Sequence, residues 1–334
     1  MSKNDAVGRA KLIANPGAGD GKNISAQLEE VVHCLSAYGM GLDIALAQPV
    51  EEAFPIAKKA VNKGYSTVIG MGGDHTITAV ARGLAGSQTR LGIIPAGTQN
   101  DIAASLGIPE DLNEACAIIA SGNTRTLDLG QVNIKGRKKF IFFMVTAIGL
   151  TATIYPDIKD VPHGDFSDIK DAILTFLEFK TNPKVYLTLD DESKLEVETM
   201  LITVANTPLV GVKNLVAPNA SMEDGLLDIA VYPNFSKAEL LAYFAKTAHE
   251  RVTADEKIQR YQARKIKIKA SPKLDVAAEG TLLGKGTARI KALPGALHVI
   301  APEEKAAREQ PEQMEELLVP VSPSIEATQR NAVS

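Results

Sequence analysis

The sequence has little of three things: cysteine, aromatic side chains and long apolar runs. Of its 334 residues, two are cysteines, none is tryptophan, and aromatic residues make up 5%. Cys34 and Cys116 both fall within apolar helical patterns, which argues against a disulfide or metal framework and favours a reducing cytoplasm. The longest apolar run, residues 140–150, is too short to span a bilayer and predicts a buried strand. Residues 1–8 are polar and lack the apolar core of a signal peptide.

An excess of basic charge is also missing. The formal net charge is -4, so no global positive field attracts nucleic acid, and we expect no nucleic-acid partner. The hydrophobic fraction of 45% is typical of a globular protein. The length favours two domains, because a single core seldom grows beyond about 250 residues.

What the chain does contain is a pair of glycine-rich turns, each placed between a short run rich in Val and Ile and a helical pattern. The turns are Gly72-Gly73-Asp74-His75-Thr76 and Gly97-Thr98-Gln99-Asn100-Asp101. Glycines between a strand and a helix let backbone N–H groups approach a phosphate, and the helix dipole favours the negative charge. The context therefore predicts an anion site at this edge of the fold.

These turns resemble two hallmarks of the diacylglycerol kinase catalytic-domain family, Gly-Gly-Asp-Gly-Thr and Gly-Thr-x-Asn-Asp. The family includes sphingosine kinases and bacterial lipid kinases. Asn15-Pro16-Gly17-Ala18-Gly19 is similar to its first nucleotide loop, and Asn206 with residues 218–228 is similar to its Asn…Pro-x-Ala…Asp-Gly-x-Leu-Asp segment. The resemblance extends over residues 9–302.

The resemblance implies a kinase that uses ATP and Mg²⁺ to phosphorylate a hydroxyl of diacylglycerol or a related lipid alcohol. It implies nucleotide contacts from Asn15, Pro16, Gly17, Gly19, Gly72, Gly73, Asp74, His75, Thr76, Gly97, Thr98 and Asn100. Glu279 would be the general base, and Asp74 and Asp101 would be catalytic carboxylates beside the phosphates. Ser221, Asp224 and Leu226 would hold a structural magnesium ion.

Among the departures from the family pattern, four bear on whether the protein is active. His75 replaces a glycine, Thr78 stands where Asn is usual, Glu279 replaces the Asp base, and Thr281 replaces a Glu. A β-carbon at position 75 would strain a left-handed turn, so the loop is expected to be reshaped. Glu279 can also be an exposed turn residue, and Asp74 and Asp101 can be simple helix caps.

The order of elements predicts an α/β fold with two domains. Four successive strand–helix units within residues 9–124 predict a doubly wound parallel sheet that binds nucleotide at the carboxyl ends of its strands. Residues 125–302 predict an antiparallel β-rich lipid domain, with the active site in the cleft between the two, and residues 303–334 a polar, disordered tail. The predicted strands of the second domain are 126–132, 140–148, 184–189, 195–205, 227–232, 265–269, 274–278, 288–292 and 297–300. Further helices are predicted near residues 168–179, 237–249 and 313–318.

Within the second domain, Lys265, Lys267 and Lys269 alternate with Ile266 and Ile268. This alternation is typical of a half-exposed strand, and a surface that faces lipid headgroups is the other interpretation. We expect a cytoplasmic protein that reaches its lipid substrate at the inner face of the membrane without a transmembrane segment. A homodimer is one assembly to test, since the sequence leaves the oligomeric state open.

Two other functions compete with the lipid kinase. A soluble-metabolite kinase of the NAD kinase type is supported by Gly72-Gly73-Asp74 and opposed by the second turn, residues 97–101. A catalytically impaired protein that binds nucleotide or lipid in a regulatory role is suggested by the four departures from the family pattern.

Overall fold

The computed structural model describes residues 9–19, 24–153, 179, 183–210, 216–250 and 255–303. Nearly all of the predicted helix at 168–179 lies outside these residues. The helix predicted near 313–318 and the tail beyond residue 303 lie outside them as well.

The first half is a parallel sheet, as predicted, and its strands lie in the order β2-β1-β3-β4. Its strands are β1 (Arg9–Ala14), β2 (Gly41–Leu46), β3 (Thr67–Gly72) and β4 (Arg90–Pro95). Its helices are α1 (Ile24–Ala37), α2 (Ala53–Lys63), α3 (Asp74–Leu84), α4 (Asp101–Ser105) and α5 (Leu112–Ser121), with a 3-10 turn at Val50–Glu52. All six residues of β3 are buried, because helices pack on both of its faces. Helix α1 connects β1 to the edge strand β2, whereas α2 leads from β2 back past β1 to β3. Because these two connections run in opposite directions along the sheet, right-handed crossovers place α1 and α2 on opposite faces.

The second half is antiparallel and β-rich. Its strands are β5 (Thr124–Ile134), β6 (Phe140–Phe142), β7 (Val145–Gly149), β8 (Lys184–Leu189), β9 (Ser193–Ala205), β10 (Leu227–Pro233), β11 (Gln259–Ala263), β12 (Lys265–Ser271), β13 (Asp275–Ala278), β14 (Thr281–Lys285) and β15 (Ala288–Ile300). A helix, α6, covers Lys237–Glu250. The predicted mixed fold class is confirmed.

Four details of the predicted strands are wrong. The run 140–148 is two strands, because β6 pairs with β5 whereas β7 pairs with β9 and β13. The runs 288–292 and 297–300 are one strand, β15, with a register shift between Leu293 and Leu297. Strands β11 and β14 were not predicted, since Gln259–Ala263 is mostly polar and β14 is largely exposed.

The last strand joins the two halves. β15 runs antiparallel to β5, and its end pairs in parallel with β4 through His298 and Val299. Leu127 and Leu297 lie in the same core as the parallel sheet. A domain boundary near residue 124 stays a prediction, with strands of the second half contributing to the first core. Among the residues described, no helix is long and apolar enough to cross a membrane.

Candidate active site

The loops that were predicted to bind nucleotide meet at the carboxyl edge of the parallel sheet. A β-carbon on Gly97 would lie 2.3 Å from the Gly73 Cα atom, and one on Gly72 would lie 2.6 Å from Thr76 Oγ1. A β-carbon on Gly19 would lie 3.1 Å from the Ala96 carbonyl oxygen. The two glycine turns therefore lie too close together for a side chain at Gly97, a side chain at Gly72 would collide with Thr76 of its own turn, and the first loop packs tightly against the second turn at Gly19.

Asp74 connects the two glycine turns. Its carboxylate accepts hydrogen bonds from the backbone N–H groups of Asp101 (3.1 Å) and Ile102 (2.9 Å), so it caps α4 rather than its own helix α3. The N-cap residue of α3 is Gly73, which has no side chain to offer. The amino end of α4 thus already holds a carboxylate, whereas the amino end of α3 has no side-chain cap.

The second turn is closed by Asn100. Its φ angle of 54° is left-handed, a conformation that Asn tolerates well, and its side chain exchanges two hydrogen bonds of 2.9 Å with Gly97. Asp101 is 1% exposed, whereas Thr98 and His75 are exposed. His75 lies in the first turn of α3 and has no positive φ, so the strain expected there is absent.

Glu279 is buried rather than an exposed turn residue. Its carboxylate accepts hydrogen bonds from the backbone N–H groups of Met144 (2.6 Å) and Val145 (3.3 Å) and from Thr78 Oγ1 (3.2 Å). Burial raises the pKa of Glu279 to about 7, against the weaker opposing effect of these hydrogen bonds. The φ angle of 49° is unusual for a glutamate and persists because the carboxylate is held from several sides.

Helix α3 links the nucleotide loops to this carboxylate. Asp74 caps α4, Thr76 Oγ1 accepts from Asn15 Nδ2 at 3.1 Å, and Thr78 binds Glu279. One turn later, the Arg82 guanidinium lies 3.9 Å from the centroid of the Phe140 ring. Burial lowers the pKa of Arg82, and the Glu279 charge opposes that shift. Arg82 was not predicted as part of the site.

Asp128 is a second residue that sequence reasoning missed. It is 2% exposed and accepts hydrogen bonds from the N–H groups of Gly225 (2.6 Å) and Gly295 (2.8 Å). It thereby fixes the loop 216–226 against β15. The signal available was a single charged residue inside the apolar run 126–132.

The residues predicted to hold magnesium lie in that loop. Asp224 is exposed, and its Oδ1 atom accepts from the Leu226 N–H at 2.9 Å, while Ser221 Oγ accepts from the Glu223 N–H at 3.3 Å. Carboxylate, hydroxyl and carbonyl oxygens suit a hard cation. The described residues hold no cluster of three or more His, Cys, Asp or Glu side chains, so a metal here would need backbone oxygens or water as well.

Asn206 connects the Asp128 region to Glu279. Its Nδ2 atom donates to the carbonyl oxygens of Asp128 (3.0 Å) and Phe143 (2.9 Å), and its backbone N–H donates to Met144 (2.7 Å). Met144 in turn donates to Glu279. Buried hydrogen bonds therefore run from the 216–226 loop to the carboxylate.

Comparison with known proteins shows the family to which the chain belongs. Residues 9–132 match the diacylglycerol kinase catalytic domain, and residues 164–301 match the YegS C-terminal NAD kinase beta sandwich-like domain. A diacylglycerol kinase of Mycobacterium tuberculosis is 30% identical over 302 residues, which cover 89% of this chain and 96% of the relative. This chain belongs to the diacylglycerol kinase family. The prediction of a phosphotransferase of the lipid kinase class is confirmed.

Solved structures show the same fold. A putative diacylglycerol kinase from Bacillus anthracis is similar with a TM-score of 0.69 and 25% identity, over 89% of this chain and 98% of that one. An NAD kinase from Archaeoglobus fulgidus, solved in complex with ATP, has a TM-score of 0.51 and 14% identity, over 92% of this chain and 100% of that one. The second likeness concerns the fold alone.

Proposed function

We propose that this lipid kinase transfers the γ-phosphate of ATP to a hydroxyl of diacylglycerol or a closely related lipid alcohol, with Glu279 as the general base. The observation that carries the proposal is a buried carboxylate with a pKa near 7, tied through Thr78 to the helix that follows the first glycine turn. The name of the relative from Mycobacterium tuberculosis supports diacylglycerol as the acceptor.

The three loops suit a nucleoside triphosphate. The close packing of Gly72, Gly73 and Gly97 leaves no room for side chains at the turns, and the uncapped amino end of α3 favours negative charge. Exposed His75 and Thr98 add polar side chains at the same edge. Magnesium bound with ATP would supply positive charge where phosphates and carboxylates repel. Asp74 and Asp101 would hold it, although Asp74 also serves as the cap of α4.

Glu279 would accept the proton of the lipid hydroxyl. A base is most effective when its pKa lies near the working pH, and burial places the pKa of Glu279 there. The N–H groups of Met144 and Val145 fix one carboxylate oxygen, and Thr78 fixes the other. Asp275 is not an alternative, since it accepts from Thr153 and pairs with Lys285.

Ser221, Asp224 and the Leu226 carbonyl would hold a second, structural magnesium ion. Its role would be to stiffen the loop that Asp128 and Asn206 connect to the base. We further propose a cytoplasmic protein that associates peripherally with the membrane. A homodimer remains a hypothesis for measurement of molecular mass in solution.

Two observations oppose the competing functions. The ordered contacts of Glu279 and the unstrained His75 argue against a protein that has lost catalysis. Asp74 accepts a hydrogen bond from Asp101, the last residue of the second turn. Because the sequence of that turn distinguishes this chain from NAD kinases, the contact argues against the NAD kinase function.

A transfer assay tests the proposal. Radiolabelled γ-phosphate should appear on a diacylglycerol-containing lipid extract and not on NAD, and Glu279→Gln should reduce kcat by about 10²–10⁴-fold with nearly unchanged ATP affinity. Glu192→Gln, in an exposed turn, is the matched control and should leave kcat unchanged. Label on NAD would support the NAD kinase function, and ATP binding without transfer to either would support the regulatory one.

A further inference from the structure

Antiparallel pairing gathers basic side chains that lie far apart in the sequence. On β12, Lys265, Lys267 and Lys269 are exposed, while the intervening isoleucines are buried. On β15, Arg289 and Lys291 are exposed and alternate with buried residues in the same way. The strand register places Lys265 opposite Lys291 and Lys267 opposite Arg289. These five residues form what we call the β12–β15 basic face.

The charges of this face are largely uncompensated. Lys265 pairs with Asp191 at 3.0 Å. Within the part of the chain that the structure describes, Lys267, Lys269, Arg289 and Lys291 make no ion pair. Like charges directly opposite each other on neighbouring strands oppose folding, because their Cβ atoms lie only about 5 Å apart. In a chain whose net charge is -4, such an arrangement indicates an anionic partner.

Neighbouring segments extend the positive surface. β5 pairs with β15, with Asn133 opposite Arg289, and the turn that follows β5 is Lys135-Gly136-Arg137-Lys138-Lys139, all of it exposed. On the other side, Tyr186 of β8 lies opposite Lys269 and is 41% exposed, and the positive surface ends there, because exposed Glu196 of β9 lies opposite Tyr186. A tyrosine with an apolar ring and a polar hydroxyl suits the interface between lipid and water.

We propose that the β12–β15 basic face docks the enzyme on an anionic lipid bilayer. A sheet presents its side chains as a grid with strand spacings of about 4.8 Å, a broad array rather than a groove. The face is dominated by lysines, which act as point charges and suit headgroups more than the bidentate recognition of nucleic acid. The proposal rests on the lipid kinase function, since the substrate of a lipid kinase resides in a bilayer.

Vesicle binding measured without turnover tests the face separately from catalysis. The wild-type chain should sediment with vesicles of phosphatidylglycerol and phosphatidylcholine, and much less with phosphatidylcholine alone. The double variant Lys267→Gln/Arg289→Gln should bind the anionic vesicles about 25-fold more weakly, or about fivefold per charge. The binding of both proteins should weaken in high salt, because salt screens exposed charges.

A matched variant controls for net charge. Lys58→Gln/Lys59→Gln removes two exposed charges from α2 and should bind like the wild type. In detergent micelles that contain diacylglycerol, the basic-face variant should keep wild-type kcat, because none of its changes touches the site. If the wild-type chain binds anionic vesicles but phosphorylates no lipid, the proposed function is wrong while the docking proposal still holds.

Three results would overturn the docking proposal. One is equal binding of the two double variants to anionic vesicles, and another is wild-type binding that does not depend on phosphatidylglycerol. The third is binding of single-stranded RNA at salt concentrations where vesicles are not bound, which would identify a nucleic-acid surface.

Discussion

At the scale of single residues, the site depends on a pair of side chains that differ together from the family pattern. Thr78 is shorter than the usual Asn, and Glu279 is longer than the usual Asp, and the two side chains meet at 3.2 Å. The extra methylene of the glutamate is thus accommodated by a smaller partner on α3. Neither difference predicts this contact by itself, since the two residues are about two hundred positions apart.

The pKa of Glu279 makes stability depend on pH. In the folded chain the group holds its proton up to about pH 7, whereas the unfolded group releases it near the ordinary value of 4.5. The folded state therefore binds more protons in this window, and stability falls as pH rises from 4.5 to 7, by on the order of 3 kcal/mol. Glu279→Gln should remove this loss and unfold at higher urea than wild type at pH 8, with little difference at pH 4.5. If the urea midpoints of wild type and Glu279→Gln differ by the same amount at every pH, the Glu279 carboxyl is not buried in solution.

Thr78 should both position Glu279 and lower its pKa. Its hydrogen bond favours the charged carboxylate, so Thr78→Val should raise the pKa of Glu279 further and move the acidic limb of the kcat profile to higher pH. Thr78→Ser keeps the hydroxyl and should retain the wild-type profile. If valine lowers kcat equally at every pH, Thr78 has only a packing role.

At the scale of elements, side chains of α3 contact both the second glycine turn and the base. Asp74 should matter to α4 as well as to nucleotide, because its two oxygens accept from the first N–H groups of α4. Asp74→Asn would set an amide N–H₂ against one of these N–H groups, so it should cost about 1 kcal/mol in unfolding free energy and lower ATP affinity in the presence of Mg²⁺.

The control for that variant is Asp111→Ala, which removes the N-cap of α5. Asp111 caps α5 through Asn113 and Glu114, away from the glycine turns, so its loss should cost similar stability with no effect on ATP binding. Calorimetry with and without Mg²⁺ separates the two roles of Asp74. Unchanged Mg²⁺-dependent affinity in Asp74→Asn would leave it as a cap only.

At the scale of the whole molecule, β15 connects the halves, and Asp128 accepts a hydrogen bond from Gly295 within its register shift. Asp128→Asn would place an amide N–H₂ against one of two backbone N–H donors inside the fold. An unsatisfied buried donor costs about 1–3 kcal/mol, so the melting temperature should fall by several degrees. Asp224→Asn, at an exposed position of the same loop, should leave the melting temperature nearly unchanged in the absence of Mg²⁺. Equal melting temperatures for wild type and Asp128→Asn would contradict the structural role.

The elements of the first half could be predicted because local pattern and tertiary environment agree there. Val and Ile runs such as Thr67–Gly72 are buried on both faces, and the glycines that end them are required by the packing of the turns. The strands of the second half were harder to predict, because the apolar run 140–149 divides at Phe143 and Met144 into β6 and β7, which pair with different strands, without any break in the pattern. Pairing partners in antiparallel sheets are set by distant strands, which local periodicity does not report.

The sequence by itself determined the parallel sheet, the glycine turns and the family to which they belong, since glycine spacing and apolar periodicity are local properties. Only the tertiary structure decided that Asp74 caps α4, that Thr78 meets Glu279, and that Asp128 joins the 216–226 loop to β15. It also decided that Arg289 and Lys291 lie beside the lysines of β12. Each of these depends on contacts between residues far apart in the chain, and burial together with strand register, rather than residue type, sets their chemistry.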